Sequence, residues 1–323
     1  MEAKRGLDAP LPLWEGRPEQ LSDKYSLGDE LGRGHFGVVF SCTDKESRQE
    51  YAVKRVDLLK TSLRSISQEV GMLRKLAHPC VARLHDVCTA AQTVDMVFNL
   101  YRGGDLIGGM LHHWDTKGDI PMVVVQNLSV QMYQGIEWLH RNGVVHRDVK
   151  AENYLMDRGG LEHPECRICL SDFGLAAELA PGKRLEDDCG TRSYWAPEFF
   201  ALNYAFKVDV WAAGVIMYGL VKGKFPFEDE HDVKCKTLEV PPRCGEASVS
   251  FLLGVLTRPE GERLSAEAAL QHPFLAQHTE FAMPRDPPAK RDSFADLRLR
   301  IKLVKVGVTC FLGIARLFVP LGA

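Results

Sequence analysis

Gly32-Arg33-Gly34-His35-Phe36-Gly37 is a run whose glycines could let backbone N–H groups approach phosphate oxygens closely. A plain turn uses glycines at the same spacing, and the run alone does not decide between the two. In dinucleotide-binding folds the last glycine of such a run opens a helix. Here Val38-Val39-Phe40 follows and is strand-like, which implies a hairpin and argues against a dinucleotide oxidoreductase. Lys54, in Tyr51-Ala52-Val53-Lys54, lies inside an apolar strand and must either snorkel to solvent or find a partner. A solvated edge lysine is the plain reading. The chemical reading pairs its ammonium with phosphate and with a carboxylate one helix away, for which Glu69 is the obvious candidate.

Positioning these residues takes a particular set of elements. From Tyr25 to Val56, short β-prone runs (YSLGDEL, GVVFSCTD, EYAVKRV) are broken by glycines and charged turns, an antiparallel meander. Residues 62–76 place Leu63, Ile66, Val70, Leu73 and Leu76 at helical spacing, with Pro79 as the stop. β-like stretches follow around 81–88 and 94–100, and Arg102-Gly103-Gly104 breaks the chain. Residues 122–140 then carry Val125, Leu128, Met132, Ile136 and Leu139, a long amphipathic helix that must bury one side. Helical patterns recur near 207–222, 248–256 and 264–271. A small β-rich half before a larger helical half implies an α+β fold in two lobes, with a cleft of the kind where ligands bind. The expected organisation is a flexible leader over 1–24, a domain over 25–275 and a linker and tail over 276–323. Within the domain the small lobe spans about 25–101 and the large lobe about 102–275.

The bulk properties restrict the function classes. With 323 residues, 45% apolar and 26% charged, the chain reads as an ordinary globular protein of one large or two modest domains. A net charge of −3 gives no global field for nucleic acid or membrane, so no nucleic-acid partner is expected. Nine scattered cysteines fit a reducing compartment better than a secreted disulfide framework. The first residues lack an apolar signal core, and Glu2 excludes myristoylation at a second-position glycine. A cytoplasmic monomer is the simplest expectation.

The segment from His146 to Asn153 reads HRDVKAEN, followed by Ser171-Asp172-Phe173-Gly174 and then Ala196-Pro197-Glu198. Together with the glycine run, Lys54 and Glu69, these motifs stand in the order and spacing of the eukaryotic-type protein serine/threonine kinases. The resemblance covers roughly residues 25–275 and implies the two-lobed protein-kinase fold. It also implies transfer of the γ-phosphate of ATP to protein hydroxyls. Such chemistry needs charge neutralisation and in-line positioning rather than covalent help. By the resemblance, Asp148 accepts or orients the substrate hydroxyl proton. Asn153 and Asp172 offer Mg²⁺ its preferred oxygen ligands. Lys54, held by Glu69, fixes the α- and β-phosphates under the loop of Gly32, Gly34 and Gly37. With all of these present, a pseudokinase scaffold is the minor alternative.

Lys150, two residues after Asp148, resembles the lysine of serine/threonine kinases, and Thr191 in Cys189-Gly190-Thr191 resembles its hydrogen-bonding threonine. Within the family the chain is most similar to the calcium/calmodulin-regulated and calcium-dependent group, although GTRSYWAPE and Ala151 depart from the usual forms. It has no EF-hand loop of its own, so direct calcium sensing is not expected. The resemblance places the hinge at Asn99-Leu100-Tyr101, Phe98 as gatekeeper, and Val39, Ala52 and Leu155 around the adenine. Asp105 stands where relatives use an acid for ribose and for a substrate arginine, and Glu152 matches a second acid for basic residues. Gly219 stands where strongly basophilic relatives carry another glutamate. A moderate preference for Arg or Lys upstream of the target hydroxyl follows. Asp209 resembles an aspartate that braces the catalytic loop, and Arg263 an arginine that pairs with Glu198.

Between Asp172 and Thr191 the chain contains no Ser, Thr or Tyr. Counting back from Cys189-Gly190-Thr191, Asp187 occupies the place of the phosphorylated residue that pairs with the arginine before the catalytic aspartate, here Arg147. Either Asp187 neutralises Arg147 permanently, or Glu186-Asp187-Asp188 is a solvated acidic run. Cys189 could be oxidised, although most cysteines are inert. Cys166 and Cys169 form a lone C-x-x-C and read as hairpin residues rather than a zinc site.

After Pro284 a linker leads to LRLRIKLVKVGVTCFLGIARLFVPLGA, which carries Arg298, Arg300, Lys302, Lys305 and Arg316 without an acid. Its uncharged stretch from Val306 to Ala315 is too short to span a bilayer. Three readings stand: a basic helix docking on the kinase domain or on calmodulin, a membrane-surface anchor, or a poorly ordered tail.

Overall fold

A computed structural model describes residues 20–34 and 37–276. The elements run α1 (Leu21–Lys24), β1 (Tyr25–Gly34), β2 (Gly37–Asp44), β3 (Glu50–Asp57), α2 (Leu63–Lys75), β4 (Leu84–Thr89) and β5 (Thr93–Asn99). They continue with β6 (Gly104–Asp105), α3 (Leu106–Lys117), α4 (Met122–Arg141), β7 (Val144–Val145), β8 (Tyr154–Met156), β9 (Ile168–Leu170) and β10 (Ala177–Glu178). The last are α5 (Pro197–Phe200), α6 (Lys207–Lys222), α7 (Glu230–Cys235), α8 (Glu246–Val255), α9 (Ala266–Gln271) and α10 (Pro273–Ala276). The described residues divide into two compact units, one of residues from Gln20 to Lys75 with Leu84–Leu100, the other of Leu76–Arg83 with residues from Tyr101 to Ala276. The first is rich in strand and the second mainly helical, which is the α+β, two-lobed class implied by the sequence.

The first unit is a five-stranded sheet in the order β1-β2-β3-β5-β4, every pair antiparallel. The exchange of β4 and β5 makes it more than a simple meander. Alternation along the strands gives the sheet two distinct faces. On one, Leu21, Tyr25, Cys42, Val53, Cys88 and Val97 form a core. Leu21, expected in the leader, is thus packed inside this unit. On the other face Val56, Val94 and Met96 meet Ile66 and Val70 of α2. Ser62 starts α2 by accepting a hydrogen bond from Ser65 N, the partner an exposed helix N-terminus needs.

In the second unit α4 packs against α6 and α9. The stripe of Val125, Leu128, Met132, Ile136 and Leu139 is buried, as its helical spacing requires. α6 is buried from Val208 to Val221 and ends at Gly223 in the left-handed conformation. Residues 76–83 belong to this unit rather than to a continuous small lobe. Ala82 N donates to Leu170 O at 2.8 Å and Leu170 N to Cys80 O at 2.9 Å, which fastens the segment beside β9.

Candidate active site

In the first unit, β1 and β2 form a hairpin whose register pairs Gly34 with Gly37 and Gly32 with Val39. Gly37 has φ +150°, and a Cβ there would sit 2.2 Å from Arg55 O, so no other residue fits. At Gly32 and Gly34 a Cβ would meet no described atom within 4 Å, so the backbone there stands in open space. The tip residues His35 and Phe36 lie outside the described residues. In the sheet, Val39 pairs with Lys54, Ala52 with Phe98, and Tyr51 with Asn99. Period-two alternation puts Val39, Ala52, Lys54 and Phe98 on the face covered by α2. There Lys54 Nζ and Glu69 Oε1 meet at 2.9 Å, both largely buried. Burial makes a paired lysine and carboxylate mutually dependent, because either alone would carry an uncompensated charge.

In the second unit, the stretch from β7 to β8 presents Asp148, which is only 8% exposed. One carboxylate oxygen accepts a hydrogen bond from Thr191 Oγ1 at 2.7 Å, and the other lies 2.7 Å from Lys150 Nζ. Lys150 Nζ also donates to Thr191 Oγ1 at 3.0 Å, closing a three-residue cluster. Gly190, with φ +86°, lets the Thr191 segment run close by: a Cβ there would fall 2.4 Å from Arg147 O. Asn153 Nδ2 donates to Asp148 O at 2.8 Å and to Asp148 Oδ2 at 3.2 Å. With the side-chain amide nitrogen engaged, Asn153 Oδ1 is the side-chain atom left for a cation. Asp172 follows β9 with φ 63°, a left-handed conformation uncommon for a non-glycine residue. Asn153 and Asp172 together offer the hard oxygen donors that suit Mg²⁺.

His146 ties these two loops together. Its Nε2 lies 3.1 Å from Ser171 O and its Nδ1 accepts from Asp148 N at 3.3 Å, which assigns the proton to Nε2. Ser171 in turn donates from N and Oγ to Asn153 O, each at 2.8 Å. Nearby, Asp105 caps α3 by accepting from Gly108 N at 2.8 Å. Burial first, and the neighbouring Glu152 charge as well, raise the Asp105 carboxyl to about 6. Glu152 accepts a hydrogen bond from the buried Tyr194 hydroxyl at 3.0 Å.

Residues 25–275 match the protein kinase domain family. The chain belongs to the protein kinase family. It is 33% identical over 276 residues to the serine/threonine-protein kinase PEPKR2 of Arabidopsis thaliana, covering 82% of this chain and 56% of that protein. It is 31% identical to calcium-dependent protein kinase 20 of Oryza sativa subsp. japonica, covering 81% of this chain and 49% of that protein. It is 32% identical to the serine/threonine-protein kinase H1 homolog of Danio rerio, covering 79% and 62% respectively. The chain spans about half the length of the curated relatives it matches.

Further contacts hold the kinase domain's catalytic loop in shape. Buried Asp209 accepts from His146 N at 2.9 Å and Arg147 N at 3.0 Å, and lies 3.0 Å from His140 Nε2. Burial alone would raise its carboxyl, but His140 and the backbone donor of His146 outweigh it and hold it below the usual range. Arg147, with φ 68°, is kept in its left-handed conformation by this bracing. Its guanidinium donates to Leu175 O at 2.6 Å and meets Asp187 Oδ2 at 2.6 Å. Arg263 and Glu198 form a two-pronged pair at 2.5 and 2.9 Å.

Other expected residues lie in the second unit. The Tyr101 hydroxyl bonds the Cys169 thiol within the second unit, so its side chain serves packing there. Leu155 lies on β8 opposite Asp105 and Cys169. Cys166 and Cys169 are free and buried, and the Cys189 thiol is raised by burial, which disfavours the reactive thiolate. The basic tail lies outside the described residues. His146 was absent from the sequence-based site, although its place two residues before Asp148 was the available signal.

Proposed function

We propose that this chain is an ATP-dependent protein serine/threonine kinase. The Asp148–Lys150–Thr191 cluster is the observation that carries the reading. A substrate hydroxyl brought to Asp148 finds a carboxylate oriented by Thr191 and Asn153, with Lys150 beside it to stabilise transferred negative charge. Lys54, steadied by Glu69, is the cation for the α- and β-phosphates of ATP, and the open glycines of the β1–β2 hairpin supply backbone donors. Asn153 and Asp172 would hold Mg²⁺, which would supply positive charge to offset that of the phosphates.

The protein substrates carry an Arg or Lys upstream of the acceptor, received by Glu152 and Asp105. Neither acid makes an ion pair among the described residues, so both remain available to a substrate cation. The preference is moderate rather than strong. At Gly219 a Cβ would lie 2.9 Å from the Phe225 ring and 3.1 Å from Met110, so the ring fills the space of a further acid. The eight described cysteines are free, the form a reducing, cytoplasmic setting maintains. No described helix is long and apolar enough to cross a membrane. Calmodulin or membrane-surface contact through residues 285–323 is the corresponding proposal for the tail, and binding measurements on a chain ending near Pro284 test it.

The direct test is label transfer from γ-labelled ATP to a basic serine peptide, with Asp172→Ala alongside. Label on serine that the substitution abolishes is expected. Equal incorporation by the folded variant would overturn the reading.

A further inference from the structure

Asp187 offers Arg147 one negative charge, where a phosphorylated residue would offer about −1.5 to −2. An exposed carboxylate alone is a weak fastening for the segment that holds Thr191 against Asp148. A second fastening stands three residues earlier. Arg184 Nε donates to Asn203 Oδ1, and its Nη2 donates to Asn203 O and, at 2.6 Å, to Glu260 Oε2. The planar guanidinium fork is thus engaged by three acceptors from two separate stretches of chain. Glu260 is only 22% exposed, so water screens this pair less than an open surface one. Both acceptor stretches are fixed independently of the segment. Lys207 Nζ, at the start of α6, donates to Glu260 O at 3.0 Å and Gly261 O at 3.3 Å. Asn203 N donates to Glu198 O at 3.3 Å, and buried Arg263 holds the Glu198 carboxylate. Next to Arg184, Leu185 exchanges backbone hydrogen bonds with Tyr204 at 2.8 and 3.1 Å. The Tyr204 hydroxyl in turn donates to Asp187 O at 2.9 Å.

We infer that Arg184 is a positioning residue for phosphoryl transfer: bound to Asn203 and Glu260, it fixes the segment so that the single carboxylate of Asp187 suffices to order it without phosphorylation. The inference rests on the kinase reading above. Arg184 acts through the segment, by way of Leu185, Tyr204 and Asp187, rather than on the reacting groups. Two anchors on one short segment share its ordering. Either one alone retains much of it, and loss of both exceeds the combined single losses.

The test is steady-state kinetics on phosphate-free protein with a basic serine peptide, for the unaltered chain, Arg184→Ala, Asp187→Ala and the double variant, each with its thermal unfolding recorded. Arg184→Ala should raise KM for the peptide by about 3- to 5-fold, the scale of a partly exposed ion pair, with KM for ATP little changed. The double variant should lose kcat/KM for the peptide by at least about 3-fold more than the product of the single losses. Arg184→Glu places like charges together and should weaken peptide use further, and adding Glu260→Arg should recover part of it. A merely structural arginine would lower thermal stability without this split or this recovery. Should the double variant fail to fold, recovery in the exchanged pair decides instead. A double loss no greater than the product of the single ones, or no recovery in the exchanged pair, would overturn this inference and leave the kinase reading intact. Absence of transfer by the unaltered protein would overturn both.

Discussion

Arg147 and Asp187 form a 2.6 Å ion pair between a largely buried guanidinium and a carboxylate that is 67% exposed. The same arginine is fixed to Leu175 O, and Asp187 O accepts a hydrogen bond from the buried Tyr204 hydroxyl at 2.9 Å. The acid is therefore anchored through its backbone as well as its side chain, unlike a solvated acidic run. Protein produced without any phosphorylation should be active. Asp187→Ala should lower kcat by about 3- to 10-fold, the scale of a charge-assisted bond reduced by solvent exposure. Steady-state kinetics on phosphate-free protein decide the matter, and an unchanged rate in the variant would contradict the role.

Asp209 governs the stability of the catalytic loop. Removing it by Asp209→Ala strands the backbone donors of His146 and Arg147 and should cost about 3–5 kcal/mol, read by chemical denaturation. The sign with pH follows from its depressed carboxyl. Its contribution is complete above the unfolded carboxylate value near 4 and is lost as pH falls through the lower folded value. The variant should therefore show a flatter acid limb in a plot of stability against pH.

Asp105 has the opposite sign. Its carboxyl is raised to about 6 by burial and by Glu152, so its ionisation disfavours folding: the stability held below pH 4 falls as pH rises through 6. The same titration affects function. As pH drops from 7 to below 6, Asp105 takes up a proton and its attraction for a substrate arginine weakens. KM for an arginine peptide should rise over that window relative to a neutral peptide. In Asp105→Asn the rise should be absent, and a persisting rise would assign the titration elsewhere.

Thr191 and Lys150 act on the same carboxylate from different directions. Thr191→Ser keeps the hydroxyl and should retain most of kcat, whereas Thr191→Val removes the donor and should reduce kcat by about 100-fold. Because the residue contacts Asp148 rather than nucleotide groups, KM for ATP should change little. Equal losses in both variants would point to packing instead.

Lys54, Asp148, Lys150, Asn153 and Asp172 stand out in the sequence because each lies in a short run of restricted composition, whereas Glu69 stands out by its place on a helical stretch. The long helices α4 and α6 were legible from apolar spacing. Helix α3 was not: Leu106-Ile107-Gly108-Gly109 reads as a break on propensity. At Gly109 a Cβ would lie 2.8 Å from the terminal methyl of Met156, so the helix packs closely against that side chain. The capture of residues 76–83 by β9, the burial of Leu21 and the ring of Phe225 beside Gly219 all depend on partners distant in sequence. Local spacing carries no signal for such contacts. His146 is marked only by its place two residues before Asp148, because its partner, Ser171 O, is a backbone atom with no side-chain signature.

The most direct measurement is pre-steady-state phosphoryl transfer by unaltered protein and by Asp148→Asn, with nucleotide affinity and thermal stability recorded for both. Label on serine or threonine is expected, with a fall of at least about 100-fold in the variant. ATP affinity should be nearly unchanged, because Asp148 orients the acceptor rather than the nucleotide. Equal transfer by the two folded proteins, or none by either, would contradict the assignment of Asp148 as the residue that receives the substrate hydroxyl.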